Sequence, residues 1–152
     1  MVTVSALATL GIIATGLLGY QGADTDQGVR VHILVGLGSI LVFLLAHLWM
    51  LFYLLGSVRV LRQEAQGMGT PLERLDQELA RFRTRTLPPL VIAIVLAVGC
   101  FVLGAGVYST GASVLVHAVA FYLVLPAEAW AAWREWRTFG AAERTVRELQ
   151  AA

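Results

Sequence analysis

At 152 residues the chain has room for a single domain, and its 58% hydrophobic content and mean hydropathy of +0.74 stand well above the roughly 45–50% apolar usage of soluble domains. A lipid-facing surface accounts for the excess. A formal charge of +1 excludes a nucleic-acid binder, which needs clustered positive charge to neutralise phosphates.

The first apolar run, about residues 4–20, has no basic residue before it, and no arginine precedes Arg30. It therefore reads as a retained helix rather than a cleaved signal peptide. Further apolar runs follow at about 31–58, 90–108 and 111–133. Each is near the roughly 20 residues needed to cross hydrocarbon, which predicts four transmembrane helices in an all-α, polytopic bundle. The few residues around Ser109-Thr110-Gly111 make the last two an antiparallel hairpin. The single domain is expected to span 1–152.

Between the second and third runs, Thr70-Pro71-Leu72-Glu73 has the form of a capping box with proline at the first helical position. Leu72, Leu75, Leu79 and Phe82 then recur at three- and four-residue steps, predicting an amphipathic helix over about 71–86 that Pro88-Pro89 ends. It is expected to skim the membrane surface or dock on a neighbour. Beyond 133 the fourth helix is expected to continue as an extension over 134–152, with Trp130, Trp133 and Trp136 in the headgroup belt.

All eleven basic residues are arginine. Arg59, Arg62, Arg74, Arg81, Arg83, Arg85, Arg134, Arg137, Arg144 and Arg147 fall on one side of the predicted spans, against Arg30 on the other. The positive-inside rule then places both termini and the long loop in the cytoplasm, in a bacterial inner membrane. Asp24-Thr25-Asp26-Gln27-Gly28 resembles the start of a calcium loop, but the later ligands are missing, so it reads as a polar outer turn.

Ionisable groups within a membrane are costly and are the natural candidates for function. His32 lies at the outer end of the second span, His47 past its middle, His117 nearly two turns into the fourth, and Glu128 near the inner end of the fourth. Glu128 is expected to meet the headgroups and pair with Arg134 or a loop arginine. Cys100, the only cysteine, reads as a small buried residue. Carboxylates are otherwise absent from the spans, which argues against proton-coupled or ion-coupled transport.

Haem b suits these histidines best, because imidazoles from two facing helices can hold the iron while the helices shield the porphyrin. Counted from the outer ends of their predicted helices, His32 and His117 differ by about five residues, roughly 7–8 Å of rise. They match better than His47 and His117. Gly36 and Ser113 leave space one turn away from each, and Arg30, with Tyr20 or Tyr108, could meet the propionates. His47 is expected to be neutral, bonded to a carbonyl or hydroxyl, or else to touch a quinone or pigment. The layout resembles four-helix cytochrome b membrane anchors, although a histidine pair at matched depth is not obvious from the sequence.

No nucleophile–base arrangement, phosphate-binding glycine loop or zinc-binding helix motif is present, so a free-standing enzyme is not expected. The first functional expectation is a small accessory subunit of a larger respiratory or photosynthetic membrane complex, embedded in lipid and packed on other subunits or on a second copy. The alternative is a haem b carrier with His32 and His117 as axial ligands, Arg30 nearby and His47 as a further candidate contact.

Overall fold

The computed structural model describes residues 2–22, 25–67 and 73–150. They form α1 (Val2–Gly22), α2 (Asp26–Gly67), α3 (Glu73–Arg85), α4 (Leu87–Thr110) and α5 (Val114–Gln150), with no strand among the described residues. Among the described residues three helices are long and apolar enough to cross a membrane: α2 over Asp26–Tyr53, α4 over Leu87–Thr110 and α5 over Val114–Thr138. Their outer faces carry the expected apolar coat, with Leu34, Leu45, Val95, Val102 and Leu115 exposed.

The helices begin and end elsewhere than hydropathy suggests, for local reasons. Pro88 and Pro89 do not close the preceding helix but sit in the first turn of α4, where a missing N–H leaves nothing unsatisfied. Gly111 adopts φ 71°, ψ 27° after α4, a left-handed conformation that costs glycine little. It turns the chain tightly into α5. Likewise α2 starts at Asp26 and runs well past its membrane span, and α5 continues without a break to Gln150. Thr70, Pro71 and Leu72 of the expected capping box, and Asp24, lie outside the described residues, as do the side chains of Leu75, Leu79 and Phe82. The described polar residues of α3, Glu73, Asp76, Gln77 and Arg81, are exposed, and Arg62 of α2 forms an exposed ion pair with Asp76.

α1 and α2 form one antiparallel hairpin and α4 and α5 another, and the two are alike in detail. The shift in numbering that carries His32 to His117 also carries Gly19 to Gly104 and Thr15 to Cys100. The same shift carries the buried Ala8, Ile12 and Ala46 to the buried Ala93, Ala97 and Ala131. Since each hairpin enters and leaves on the same side, the approximate two-fold axis relating them runs along the bundle. α1 packs on α5 as α4 packs on α2. The core between the hairpins is small-sided, built from Ala8, Ala46, Ala93, Ala97, Ala127 and Ala131 around Phe43 and Val124. Small side chains let helix backbones approach closely, the main source of association in lipid.

Candidate functional site

Two clusters of polar side chains lie between the hairpins, one in the half that bears Arg30 and Tyr108, termed outer, and one in the half that bears Arg134, termed inner.

The outer cluster is the histidine pair. His32 on α2 and His117 on α5 are both half-buried, and their rings stand 6.3 Å apart between centroids with planes crossed at 75°. The depth mismatch expected from the sequence is absent. It came from helix ends placed by hydropathy, whereas α2 begins several residues earlier and α5 three residues later than expected. Once the hairpins are superposable, equivalent residues share a height.

Each ring is held in the same way. His32 Nδ1 lies 2.9 Å from the Thr15 carbonyl oxygen and His117 Nδ1 lies 3.1 Å from that of Cys100, in each case 17 residues back across the hairpin. A carbonyl only accepts, so Nδ1 carries the proton in both rings and Nε2 is left with its lone pair. Neither Nε2 has a hydrogen bond to a described residue. Glycine makes room for both imidazoles: a Cβ on Gly19 would stand 2.8 Å from His32 Cε1, and one on Gly104 2.8 Å from His117 Cε1. Gly16 similarly admits the Phe121 ring, which would lie 2.2 Å from a Cβ there. Arg30, Tyr20 and Tyr108 are exposed towards the same end. Gly36 would bring a Cβ only against the Thr15 methyl, and Ser113 is exposed.

The inner cluster was only partly legible. His47 is 1% exposed, and both ring nitrogens are engaged by carboxylates of α5: Nε2 with Glu128 Oε2 at 2.9 Å and Nδ1 with Glu135 Oε1 at 2.8 Å. Phe43 packs edge-on against the ring, 4.4 Å between centroids. Three expectations are corrected here. Glu128 does not pair with Arg134 at the headgroups; it is 1% exposed and faces His47, with Thr9 Oγ1 3.2 Å from its other oxygen. His47 does not bond a backbone carbonyl or hydroxyl, and with both nitrogens taken it has none to offer an iron or a pigment metal. Finally, Glu135, counted with the extension, is 2% exposed inside the α5 span. Its spacing carried the signal: it lies two helical turns beyond Glu128, so both carboxylates project from one face.

The Arg134 guanidinium instead lies over the Trp133 ring, 5.3 Å from its centroid, and Arg137 lies 4.6 Å from the same ring. Trp130, Trp133 and Trp136 are exposed. Below the cluster Thr86 and Thr138 hydroxyls meet at 2.7 Å, tying the start of α4 to α5.

The near-symmetry of the hairpins holds around the outer histidines and fails at the inner cluster. Under the shift that pairs His32 with His117, His47 corresponds to Ala132, Glu128 to Phe43 and Glu135 to Met50. A second histidine pair is therefore not built. In its place one hairpin offers a base and the other two acids.

Comparison with known proteins finds no matching family model, no similar curated sequence and no similar solved structure.

Proposed function

We propose that this chain is a haem b-binding membrane subunit that passes electrons, with His32 and His117 as the two axial ligands. The observation that carries this reading is the disposition of the two rings. Metal–imidazole bonds of about 2.0–2.1 Å, with each ring centre roughly 1.1 Å beyond its nitrogen, put two coaxial ligands a little over 6 Å apart. The His32–His117 centroid separation of 6.3 Å matches that spacing. An Nδ1–H held by a backbone carbonyl is the outer-shell bond that fixes the tautomer and orientation of a metal-ligating histidine.

Bound there, haem b supplies a one-electron centre. The chain's own part is to hold both imidazoles with Nε2 free, to keep the Gly19 and Gly104 faces open for them, and to screen the centre from water with apolar helices. Arg30 stands at the outer end of α2, where propionates would emerge. A pigment held by one histidine would leave the pairing without a purpose.

In this reading α1 makes the fourth crossing, since it lies antiparallel along α2 and is the counterpart of α4. Arginine placement puts both termini on the cytoplasmic side of a bacterial inner membrane. The protein serves as a small subunit of a larger respiratory or photosynthetic complex, because one electron centre without a substrate site needs a donor and an acceptor beside it. Lipid and other subunits, or a second copy, cover the exposed apolar faces.

A reduced-minus-oxidised spectrum of protein purified from its native membrane tests the proposal. A b-type alpha band is expected, lost in His32→Ala and in His117→Ala and kept in His47→Gln. Its absence from the wild-type protein ends the haem reading. Purification in mild detergent tests the subunit reading, which is lost if the chain migrates as a monomer without companions.

A further inference from the structure

We infer that Glu128, His47, Glu135 and Thr9 form a buried proton-binding site that takes up one proton from the cytoplasmic side when an electron arrives on the outer histidine pair. The inference rests on the haem reading for its electron and on the geometry of the inner cluster for its proton.

The proton count follows from the contacts. Two hydrogen bonds join His47 to Glu128 and Glu135, and each needs one proton. With those two protons the cluster is an imidazolium between two carboxylates, carrying a net charge of −1 in a span where isolated charge is costly. A third proton makes it neutral.

The structure holds a seat for that third proton at Thr9. Its hydroxyl lies 3.2 Å from Glu128 Oε1 and 3.0 Å from the Ser5 carbonyl oxygen, and it has one hydrogen to donate. When Glu128 is a carboxylate, Thr9 donates to Oε1. When Oε1 is protonated, the acid donates to Thr9 Oγ1 and Thr9 donates to Ser5. Both states keep every partner satisfied, so the switch consists of one proton arriving and one hydroxyl turning.

The groups around His47 agree. His47 meets Glu128 and Glu135 of α5 and Phe43 of α2, Thr9 of α1 meets Glu128, and the α4 residues of the same buried core, Ala93 and Ala97, do not titrate. The Thr86–Thr138 hydroxyl pair lies about one turn beyond Glu135 along α5. Arg134, whose Nε is buried without a hydrogen bond, is the nearest cation in sequence to Glu135.

The step balances as follows. Were haem b held by His32 and His117, a reduced one-electron carrier protein would supply its electron and an oxidised one would take that electron away; in step with these, hydronium on the cytoplasmic side gives a proton to Glu128 Oε1, leaving water, and water later accepts that proton back. Linkage requires reciprocity: if the reduced centre favours the third proton, the proton favours reduction, and the haem midpoint falls as pH rises through the range where the proton is exchanged.

Infrared difference spectroscopy on the detergent-purified full chain provides the test, in two arms. The pH-difference arm needs no haem: the carbonyl stretch of a protonated carboxylic acid is expected to appear on acidification and to vanish in Glu128→Gln. The redox-difference arm should show the same band growing on reduction, with a pH-dependent midpoint in wild type and a flat one in Glu128→Gln. Thr9→Val, which leaves both ion-pair contacts intact, should shift or remove the band and guards against misfolding of the glutamine variant. A wild-type protein without a titrating acid band, or a band surviving in Glu128→Gln, overturns the proton site. A titrating band in protein without a b-type alpha band instead defeats the haem reading and the coupling to it, and leaves a proton site.

Discussion

At the scale of single residues, what sets the two histidine environments apart is which atoms are left over. His32 and His117 each spend Nδ1 on a backbone carbonyl and keep a lone pair, whereas His47 spends both nitrogens on carboxylates. Removing a group therefore has different consequences at the two sites. His47→Ala strands two buried carboxylates opposite a void, and breaking a buried pair in this way costs about 3–5 kcal/mol. Unfolding in a graded mixture of detergents should register that loss, and unchanged stability would contradict the buried ion pairing. Gly104→Ala acts through space rather than charge. Its methyl would press on His117 Cε1 at 2.8 Å and turn the ring, at a cost on the order of 1–3 kcal/mol for overpacking. Weaker haem retention than in a Gly99→Ala control, where a Cβ meets nothing within 4 Å, is the expected readout. The exposed Arg62–Asp76 pair is the opposite case, and Arg62→Ala should move stability by no more than about 0.5 kcal/mol.

At the scale of elements, the hairpin is the unit. α1 with α2 and α4 with α5 are each joined by a short turn, and each positions its histidine through a carbonyl on its own partner helix. The link between α2 and α4, residues 68–86, is longer than either turn and contributes α3 among the described residues. Chains cut within that link and co-expressed as residues 1–67 and 73–152 should therefore reassemble with the spectrum of the intact protein. Two halves that insert but never associate would show that the interface between hairpins is too weak to bring His32 to His117. The α1–α5 contact is part of that interface, and Gly16→Ala, which meets the Phe121 ring, should weaken reassembly of the halves more than Gly38→Ala, which meets nothing.

At the scale of the whole molecule, two similar hairpins side by side create a symmetric place and an asymmetric one. The outer half repeats closely enough to place two equivalent imidazoles side by side, and the inner half departs from the repeat to bury an acid–base cluster. Orientation in the membrane decides what that asymmetry means. With Cys100 replaced by alanine, a cysteine at Ser109 should react with an impermeant reagent from outside, and a reporter after Ala152 should be active only in the cytoplasm. The reverse labelling pattern would place the inner cluster on the opposite face and refute the cytoplasmic source of its proton.

The helical, lipid-facing character of the chain and the α4–α5 hairpin followed from the sequence, because apolar run length and turn residues are local signals. α1 is expected to cross as well; among the described residues the helices long and apolar enough to do so are α2, α4 and α5. The depth and the hydrogen-bond partners of the histidines were decided only by tertiary structure. Hydropathy misplaces helix ends where polar residues continue a helix, as at Asp26, and so makes equivalent histidines look mismatched. The repeat was hidden because it survives at small core positions and in backbone bonds such as Thr15 to His32, which carry little side-chain identity. Glu135 falls within the expected extension over 134–152, and although its two-turn spacing from Glu128 puts both acids on one face of α5, only the fold turns that face onto His47, 88 residues away along the chain.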